Sequence, residues 1–306
     1  MRDLTIVIPA YNDAEALSVF LPELISYCQN NGCKLIIVND GSSDNTKTLL
    51  EQHRALPFFT PLLHKVNRGY GGAIKTGIGA VQTPYVITID ADGQHRLEDV
   101  SALHNAMRET DADMIVGSRG KHKEATYRKI GKSLIRFIAN LLMPIKIQDI
   151  NSGMKIYRTN LAKQYLQLCP DNMAFSDVIT LSFIHHRNLV LAHPITVLPR
   201  TSGTSTISTK TAFDTVMELL NIVMLFNPTR IFLPPAIFFL LFSAVWGLPF
   251  ILRDEGVSVG TLLLFLTGVM FFFLGLFAEQ LAAIRNSLNR AACKSDNIVA
   301  VGDERQ

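Results

Sequence analysis

Two uncharged stretches near the C-terminus constrain this chain more than anything else in it. From Ile231 to Leu252 it reads IFLPPAIFFLLFSAVWGLPFIL, and after Arg253, Asp254 and Glu255 a second uncharged stretch runs from Gly256 to Ala278. Each is long enough, as a helix, to cross a hydrocarbon core about 30 Å thick. Two such runs with so short a connection do not read as a pair of buried core helices, so the pattern predicts a membrane hairpin. The prolines at 234, 235 and 249 are expected to kink or end helices, though membrane helices tolerate proline better than soluble ones. Lys210 and Arg230 precede the hairpin and Arg285, Arg290 and Lys294 follow it, while the connection carries Arg253 beside two acids. The positive-inside rule then places the long N-terminal region and the tail in the cytoplasm. Just upstream, TAFDTVMELLNIVMLF spaces Asp214, Glu218 and Asn221 at helical intervals. This predicts an amphipathic helix at the membrane surface, with an ordinary core-facing helix as the alternative. The tail after Lys294 reads as disordered.

The region ahead of the hairpin alternates strand-like and helix-like segments. LTIVIPAY, KLIIVND, PLLHKV, YVITID and DMIVGSR read as strands; residues 13–28, 43–53, 72–81 and 97–108 read as helices. Such alternation predicts an α/β domain with a mostly parallel sheet, in which ligands bind at the carboxyl ends of the strands. Three of those ends carry polar signatures: Asn39 to Asp44, Asp90-Ala91-Asp92, and Ser118-Arg119. The organisation read from the chain is a catalytic domain over 1–206, an interfacial helix over 207–228, two membrane helices within 229–283 (about 231–252 and 256–278) and a cytoplasmic tail over 284–306.

Charge and cysteines narrow the partners. A net charge of +3, with no basic tract, gives no footing for nucleic acid. Cys28, Cys33, Cys169 and Cys293 form no CxxC pair, so neither a zinc site nor a disulfide framework is indicated, and a reducing, cytosol-facing location suits them. Met1-Arg2-Asp3 leads straight into a strand-like run ending at Pro9, without a signal-peptide pattern.

Most of the chemistry is concentrated in PYVITIDADGQHRLED, from Pro84 to Asp99. Val86 to Ile89 read as a short buried strand, and alternate side chains of an extended chain share a face, so the carboxylates of Asp90 and Asp92 can converge. Two like charges held together are costly unless a positive charge sits between them, and hard divalent cations take such oxygen ligands. A strand ending in an Asp-Gly turn is the plainer alternative. The glycine-rich NRGYGGAIKTGIGA (Asn67 to Ala80) opens a helix, yet Ile74 stands where a dinucleotide loop wants glycine, and no Gly-Lys-Ser/Thr occurs. Its glycines allow a tight turn and close backbone approach, which binding a nucleotide would also need.

Taken in order, VIPAYND, VNDGSSDNT, NRGYGGAIKTGI, DADGQH, GSR and DINSGMKIYR (Asp149 to Arg158) resemble the inverting family-2 glycosyltransferases with a GT-A fold. Within that family they are most similar to the polyprenyl-phosphate sugar synthase group, which includes dolichyl-phosphate mannose synthases and dolichyl-phosphate glucosyltransferases. The resemblance implies that Pro9, Tyr11, Asp40, Asp44 and Lys75 contact the sugar nucleotide, a UDP- or GDP-hexose. It implies that Asp90, Asp92 and Gln94 form the metal and diphosphate site, with Mg²⁺ or Mn²⁺ as cofactor. Arg119 would face the phosphates, and Arg128 and Ser133, in YRKIGKS, would hold the phosphate of an undecaprenyl or dolichyl lipid. Arg200, Gly203 and Ser205, in RTSGTST, resemble an Arg-x-x-Gly-x-Ser loop that closes over the diphosphate. The family often has lysine after that serine; this chain has Thr206, so that contact is missing or comes from elsewhere, with Lys210 as a candidate. Asp177 falls where many relatives carry an acid, serving as a base or orienting an arginine or the sugar.

The chemistry stands independently of the family name. What slows transfer from a sugar nucleotide is charge developing on the departing diphosphate, which a divalent ion and Arg119 or Arg200 would stabilise. A hydroxyl acceptor would also need a carboxylate base. A lipid phosphate is already anionic and needs cationic positioning, for which Arg119, Lys121, Lys123, Arg128, Lys129 and Lys132 are available; a solvated basic face beside anionic headgroups is the alternative. A processive polysaccharide synthase would carry Gln-x-x-Arg-Trp near the membrane, and the one tryptophan, Trp246, lies inside the first hydrophobic run. A different lipid or glycan hydroxyl acceptor, or a non-catalytic membrane-anchored binding protein, are the remaining readings. The histidines His185, His186 and His193 lie in a region that reads as structural. A homo-oligomer stays open, because an exposed membrane hairpin often finds a partner.

Overall fold

In a computed structural model of the chain, the described residues are 1–119, 149–150, 152–198, 224, 226–253 and 256–302. They fall into two units, a sheet domain and a C-terminal helical hairpin.

The sheet domain is built as β1 (Leu4–Ala10), α1 (Ala14–Asn31), β2 (Lys34–Asn39), α2 (Thr46–Gln52), β3 (Phe59–Leu63), α3 (Tyr70–Ala80), β4 (Tyr85–Thr88), α4 (Leu97–Thr110) and β5 (Met114–Ser118). There follow β6 (Lys155–Arg158), α5 (Thr159–Tyr165), a short 3₁₀ turn, α6 (Phe175–His185) and β7 (Val190–Pro194). The seven strands lie in the order β3-β2-β1-β4-β6-β5-β7. β6 runs antiparallel to both its neighbours, and the other pairs are parallel. Every residue of β1 is buried, as expected of a central strand covered by helices on both faces. Leu4, Ile6 and Ile8 pack with Leu17, Leu21 and Leu24 of α1 in the main core. On the other face α3 comes down onto β1 so closely that a Cβ at Gly77 would lie 2.4 Å from Val7 Cγ1.

The alternation read from the sequence is present, with two differences that matter for the site. β4 stops at Thr88, so Asp90 and Asp92 stand beyond the strand in a turn closed by Gly93 at φ +69°. The period of a strand therefore does not aim their carboxylates; the turn does. β6 and β7 complete the sheet from segments beyond the five strands expected from the sequence.

In the hairpin, α7 (Thr229–Leu252) and α8 (Val259–Gly302) are continuous helices, and α7 runs through all three prolines. Thr229–Leu252 and Val259–Arg285 are each long and apolar enough to cross a membrane. Small residues let the helices touch: a Cβ at Gly247 would meet Thr261 Cγ2 at 2.5 Å, and one at Gly268 would meet Leu240 Cγ at 2.8 Å. Outward, Leu241 (63% exposed), Val245 (71%) and Phe277 (66%) have no protein cover, which suits lipid and not a soluble core. The second span starts at Val259 instead of Gly256. The disorder expected after Lys294 is replaced by helix through Gly302. The interfacial helix expected over 207–228 lies almost entirely outside the described residues.

Candidate active site

The carboxyl ends of β1, β2, β4 and β5 form one edge of the sheet, and the polar signatures sit there. Along this edge Asp40 is 2% exposed and fully engaged. Its Oδ1 accepts from the Arg68 amide (2.9 Å) and from His64 Nδ1 (2.6 Å), and its Oδ2 accepts from the Gly69 amide (2.8 Å). Asp40 thus fixes the entry to the glycine-rich segment. Asp44 accepts from the amides of Ala14 and Thr46, both at 3.0 Å, tying α1 to α2. Slight burial raises its carboxyl, and the hydrogen bonds from Thr46 and Ala14 outweigh this and hold it below its ordinary value. Pro9 is buried in β1, whereas Tyr11 is 49% exposed just beyond it.

The glycines of NRGYGG answer to a neighbouring backbone. A Cβ at Gly69 would lie 2.5 Å from the Asp171 carbonyl oxygen, and one at Gly71 2.3 Å from that of Pro170. Lys75 reaches across to Asp171 Oδ1 at 2.7 Å and closes the same contact. These residues clamp α3 to the 170–172 loop.

Asp90 lies at the centre of the edge. Its Oδ1 accepts from the Tyr70 hydroxyl at 3.1 Å, and its Oδ2 is 3.4 Å from His95 Nε2. Gly153 presses its backbone against the same carboxylate: a Cβ there would sit 2.2 Å from Asp90 Oδ2. Burial pushes the carboxyl up, but His95, Tyr70 and the charge of Arg119 hold it below its ordinary value, so it is an anion near neutral pH. Asp92 Oδ1 accepts from the Gln94 amide at 3.1 Å, and the Gln94 carbonyl accepts from Leu198. Among the described residues no group of three or more His, Cys, Asp and Glu side chains comes together. A cation here would rest on the side-chain oxygens of Asp90, Asp92 and Gln94, completed by ligand or water oxygens. That hard, all-oxygen donor set fits Mg²⁺ or Mn²⁺.

Arg119 emerges from β5 and is gripped by Asp149. Its amide and Nε donate to Asp149 Oδ2 (3.0 and 2.9 Å), and its Nη2 donates to Oδ1 at 2.7 Å. The fork fixes the guanidinium plane beside the carboxyl edge of the sheet. It also raises the Arg119 guanidinium above its ordinary value, against the effect of burial. Asp177 lies in the first turn of α6. Arg128, Ser133, Arg200 and Ser205 fall outside the described residues.

Sequence reasoning passed over Tyr70, His95, Asp149, Gly153 and Lys155. The signal that could have found three of them is DINSGMKIYR, a motif that carries the resemblance without a role for any of its side chains. Lys155 is wholly buried, and burial pushes its amine down to about 7, opposed by Asp177, Asp149 and Cys169, with Arg119 adding to the depression. The unfolded chain, with an ordinary value of 10.5, binds the proton between about pH 7 and 10.5 while the folded chain does not. Stability should therefore rise with pH over that window by up to about 1.4 kcal/mol per unit. Melting wild type and Lys155→Met from pH 6.5 to 9 checks this: the wild type should gain on the variant as pH rises, and parallel curves would refute it.

The sheet order and the paired aspartates at its carboxyl edge define a GT-A fold. The family model described as Glycosyl transferase family 2 matches residues 5–166, and a second, described as GtrB C-terminal hairpin, matches 227–284. The chain belongs to glycosyl transferase family 2. It is 26% identical over 309 residues to the undecaprenyl-phosphate 4-deoxy-4-formamido-L-arabinose transferase of Photorhabdus laumondii subsp. laumondii, covering 94% of this chain and 91% of that one. It is 30% identical over 175 residues to a dolichyl-phosphate beta-glucosyltransferase of Trichomonas vaginalis, covering 52% and 54%. Among solved structures, glucosyl-3-phosphoglycerate synthase of Mycobacterium tuberculosis with Mn²⁺, UDP and phosphoglyceric acid aligns at a TM-score of 0.54 and 15% identity, over 72% of this chain and 78% of that one. This last likeness speaks to the fold alone.

Proposed function

We propose that this chain transfers a sugar from a nucleotide donor to polyprenyl phosphate at the cytoplasmic face of a membrane, inverting the anomeric centre. The observation that carries the reading is that one chain joins a family-2 domain, with Asp90, Asp92 and a clamped Arg119 on its ligand-binding edge, to a membrane hairpin. The names of the two relatives, both transferases to a polyprenyl phosphate, support the acceptor class. The donor is proposed as a UDP- or GDP-hexose, glucose or mannose. The flanking charges of the hairpin support the cytoplasmic placement.

An oxygen of the lipid phosphate forms the new bond to the anomeric carbon as the bond to the nucleoside diphosphate breaks, and the electron pair leaves with the diphosphate. The attacking oxygen is already anionic, so no base is required; Asp177 then serves to orient the sugar or an arginine. Two anions must approach one another, and Arg119 offers a fixed positive charge between them, held in place by Asp149. When bound at Asp90, Asp92 and Gln94, Mg²⁺ or Mn²⁺ would supply Lewis-acid stabilisation of the leaving diphosphate.

The test is a transfer assay on the purified full chain in detergent. Undecaprenyl or dolichyl phosphate is offered with labelled UDP- and GDP-hexoses and UDP-4-deoxy-4-formamido-L-arabinose, in Mn²⁺, Mg²⁺ or EDTA. Label from one donor should enter the lipid fraction and EDTA should abolish it. Metal-dependent hydrolysis without a lipid product would discard the acceptor, and label in lipid from the formamido sugar alone would discard the hexose.

A further inference from the structure

Among the described residues, Lys155 is the one lysine of the sheet domain that sits fully inside it, at 0% exposure on β6. Burying such a group is expensive unless its hydrogens are used. Both contacts it makes go to backbone carbonyls: its Nζ donates to the Ile150 oxygen at 2.6 Å and to the Ser176 oxygen. Thr180 of α6 touches the same two oxygens, its hydroxyl lying 2.9 Å from Ser176 O and 3.3 Å from Ile150 O.

The two carbonyls belong to the segments that place the anion-binding groups. Ile150 follows Asp149, whose carboxylate grips Arg119. Three residues on, Gly153 backs the carboxylate of Asp90, and its carbonyl is held by the Thr88 hydroxyl at 2.9 Å. Ser176 lies in the first turn of α6, beside the Tyr70 side chain, which in turn donates to Asp90 Oδ1 at 3.1 Å. One side chain therefore joins the support of Arg119 to the support of Asp90. A neutral amine still has two hydrogens to give, so both bonds survive loss of the proton. The link does not depend on the charge of Lys155.

We propose that Lys155 is a positioning residue that ties the Asp149–Gly153 segment to the first turn of α6 and so sets Arg119 and Asp90 relative to one another. The proposal rests on the reading of this edge as the diphosphate site. Lys155 touches no ligand; it acts through Asp149 and through Ser176 and Tyr70. Groups that orient first ligands in this way are typically worth about 10 to 100-fold in metal affinity or activity.

The experiment compares full-length wild type, Lys155→Met and Thr180→Val in detergent. Mn²⁺ alone is titrated by paramagnetic resonance, and KM and kcat are measured with whichever sugar nucleotide the wild type transfers. A dissociation constant does not depend on the fraction of protein folded, so it separates misplacement from simple loss of active molecules. Lys155→Met should raise the Mn²⁺ dissociation constant and the donor KM by about tenfold or more, with Thr180→Val moving both the same way by a smaller factor. Should Lys155→Met no longer melt cooperatively, Thr180→Val decides: a rise of about threefold supports the link, and wild-type constants overturn it. Folded Lys155→Met with an unchanged Mn²⁺ constant and KM also overturns it. If the wild type transfers no sugar, the functional reading falls, while the Mn²⁺ titration still decides the role of Lys155.

Discussion

Asp90→Asn should lower the turnover of sugar transfer by about 10³-fold, equivalent to about 4 kcal/mol of lost transition-state stabilisation. The chain should still melt within a few degrees of wild type. Asp90 stands outside the strand ladder, with its side chain 36% exposed, so the fold does not lean on it. Its two oxygens are already aimed by Tyr70 and His95, and an amide of the same shape keeps the packing while removing the charge. Asp92→Asn should also lower transfer, because the charge is lost while the remaining side-chain oxygen can still accept from the Gln94 amide. Steady-state transfer and Mn²⁺ affinity measured side by side check both. Retention of a tenth or more of wild-type turnover in Asp90→Asn would remove this carboxylate from the chemistry.

How much of this is readable from the sequence divides along physical lines. β1, β2 and β4 are legible because their residues are buried on both faces, which leaves unbroken apolar, β-branched runs. β6 is not: KIYR is short, and its first residue is a lysine that only a buried pair of carbonyls makes tolerable. The hairpin is legible because lipid demands an unbroken apolar surface, and its exact starting residue is not, because Gly256 is apolar without being helical. At the site, Asp90, Asp92 and Arg119 can be picked out because carboxylates and a guanidinium at strand ends are conspicuous. Their supports are distant in sequence: Asp149 is 30 residues from Arg119, and Tyr70 is 20 residues from Asp90. No local period connects such pairs; the sheet order does, by laying β6 between β4 and β5. The glycine-rich segment shows the converse: Gly69 and Gly71 permit the close backbone approach that a nucleotide would need, and the backbone they meet is that of residues 170–172.

Gly153→Ala should cut transfer by about 10 to 100-fold, although it adds one methyl group and no charge. The new Cβ would stand 2.2 Å from Asp90 Oδ2, 2.7 Å from its Cγ and 2.8 Å from Oδ1, distances no real Cβ tolerates. The backbone at 153 has little room to withdraw. Its carbonyl is held by Thr88, and Thr88 is itself paired to Lys155 in the β4–β6 ladder. The Asp90 side chain, on a turn and a third exposed, is the softer partner and must swing away from Tyr70 and His95. Overpacking of this kind costs about 1–3 kcal/mol of stability, which a melting curve would register as a modest shift. Mn²⁺ affinity should fall by about 10 to 100-fold and transfer with it. The decisive comparison is the double variant. If Gly153 matters only by backing Asp90, Gly153→Ala combined with Asp90→Asn should be no slower than Asp90→Asn alone, a coupling nearly as large as the single effect. Strictly additive losses would mean that Gly153 acts elsewhere and that the contact with Asp90 is incidental.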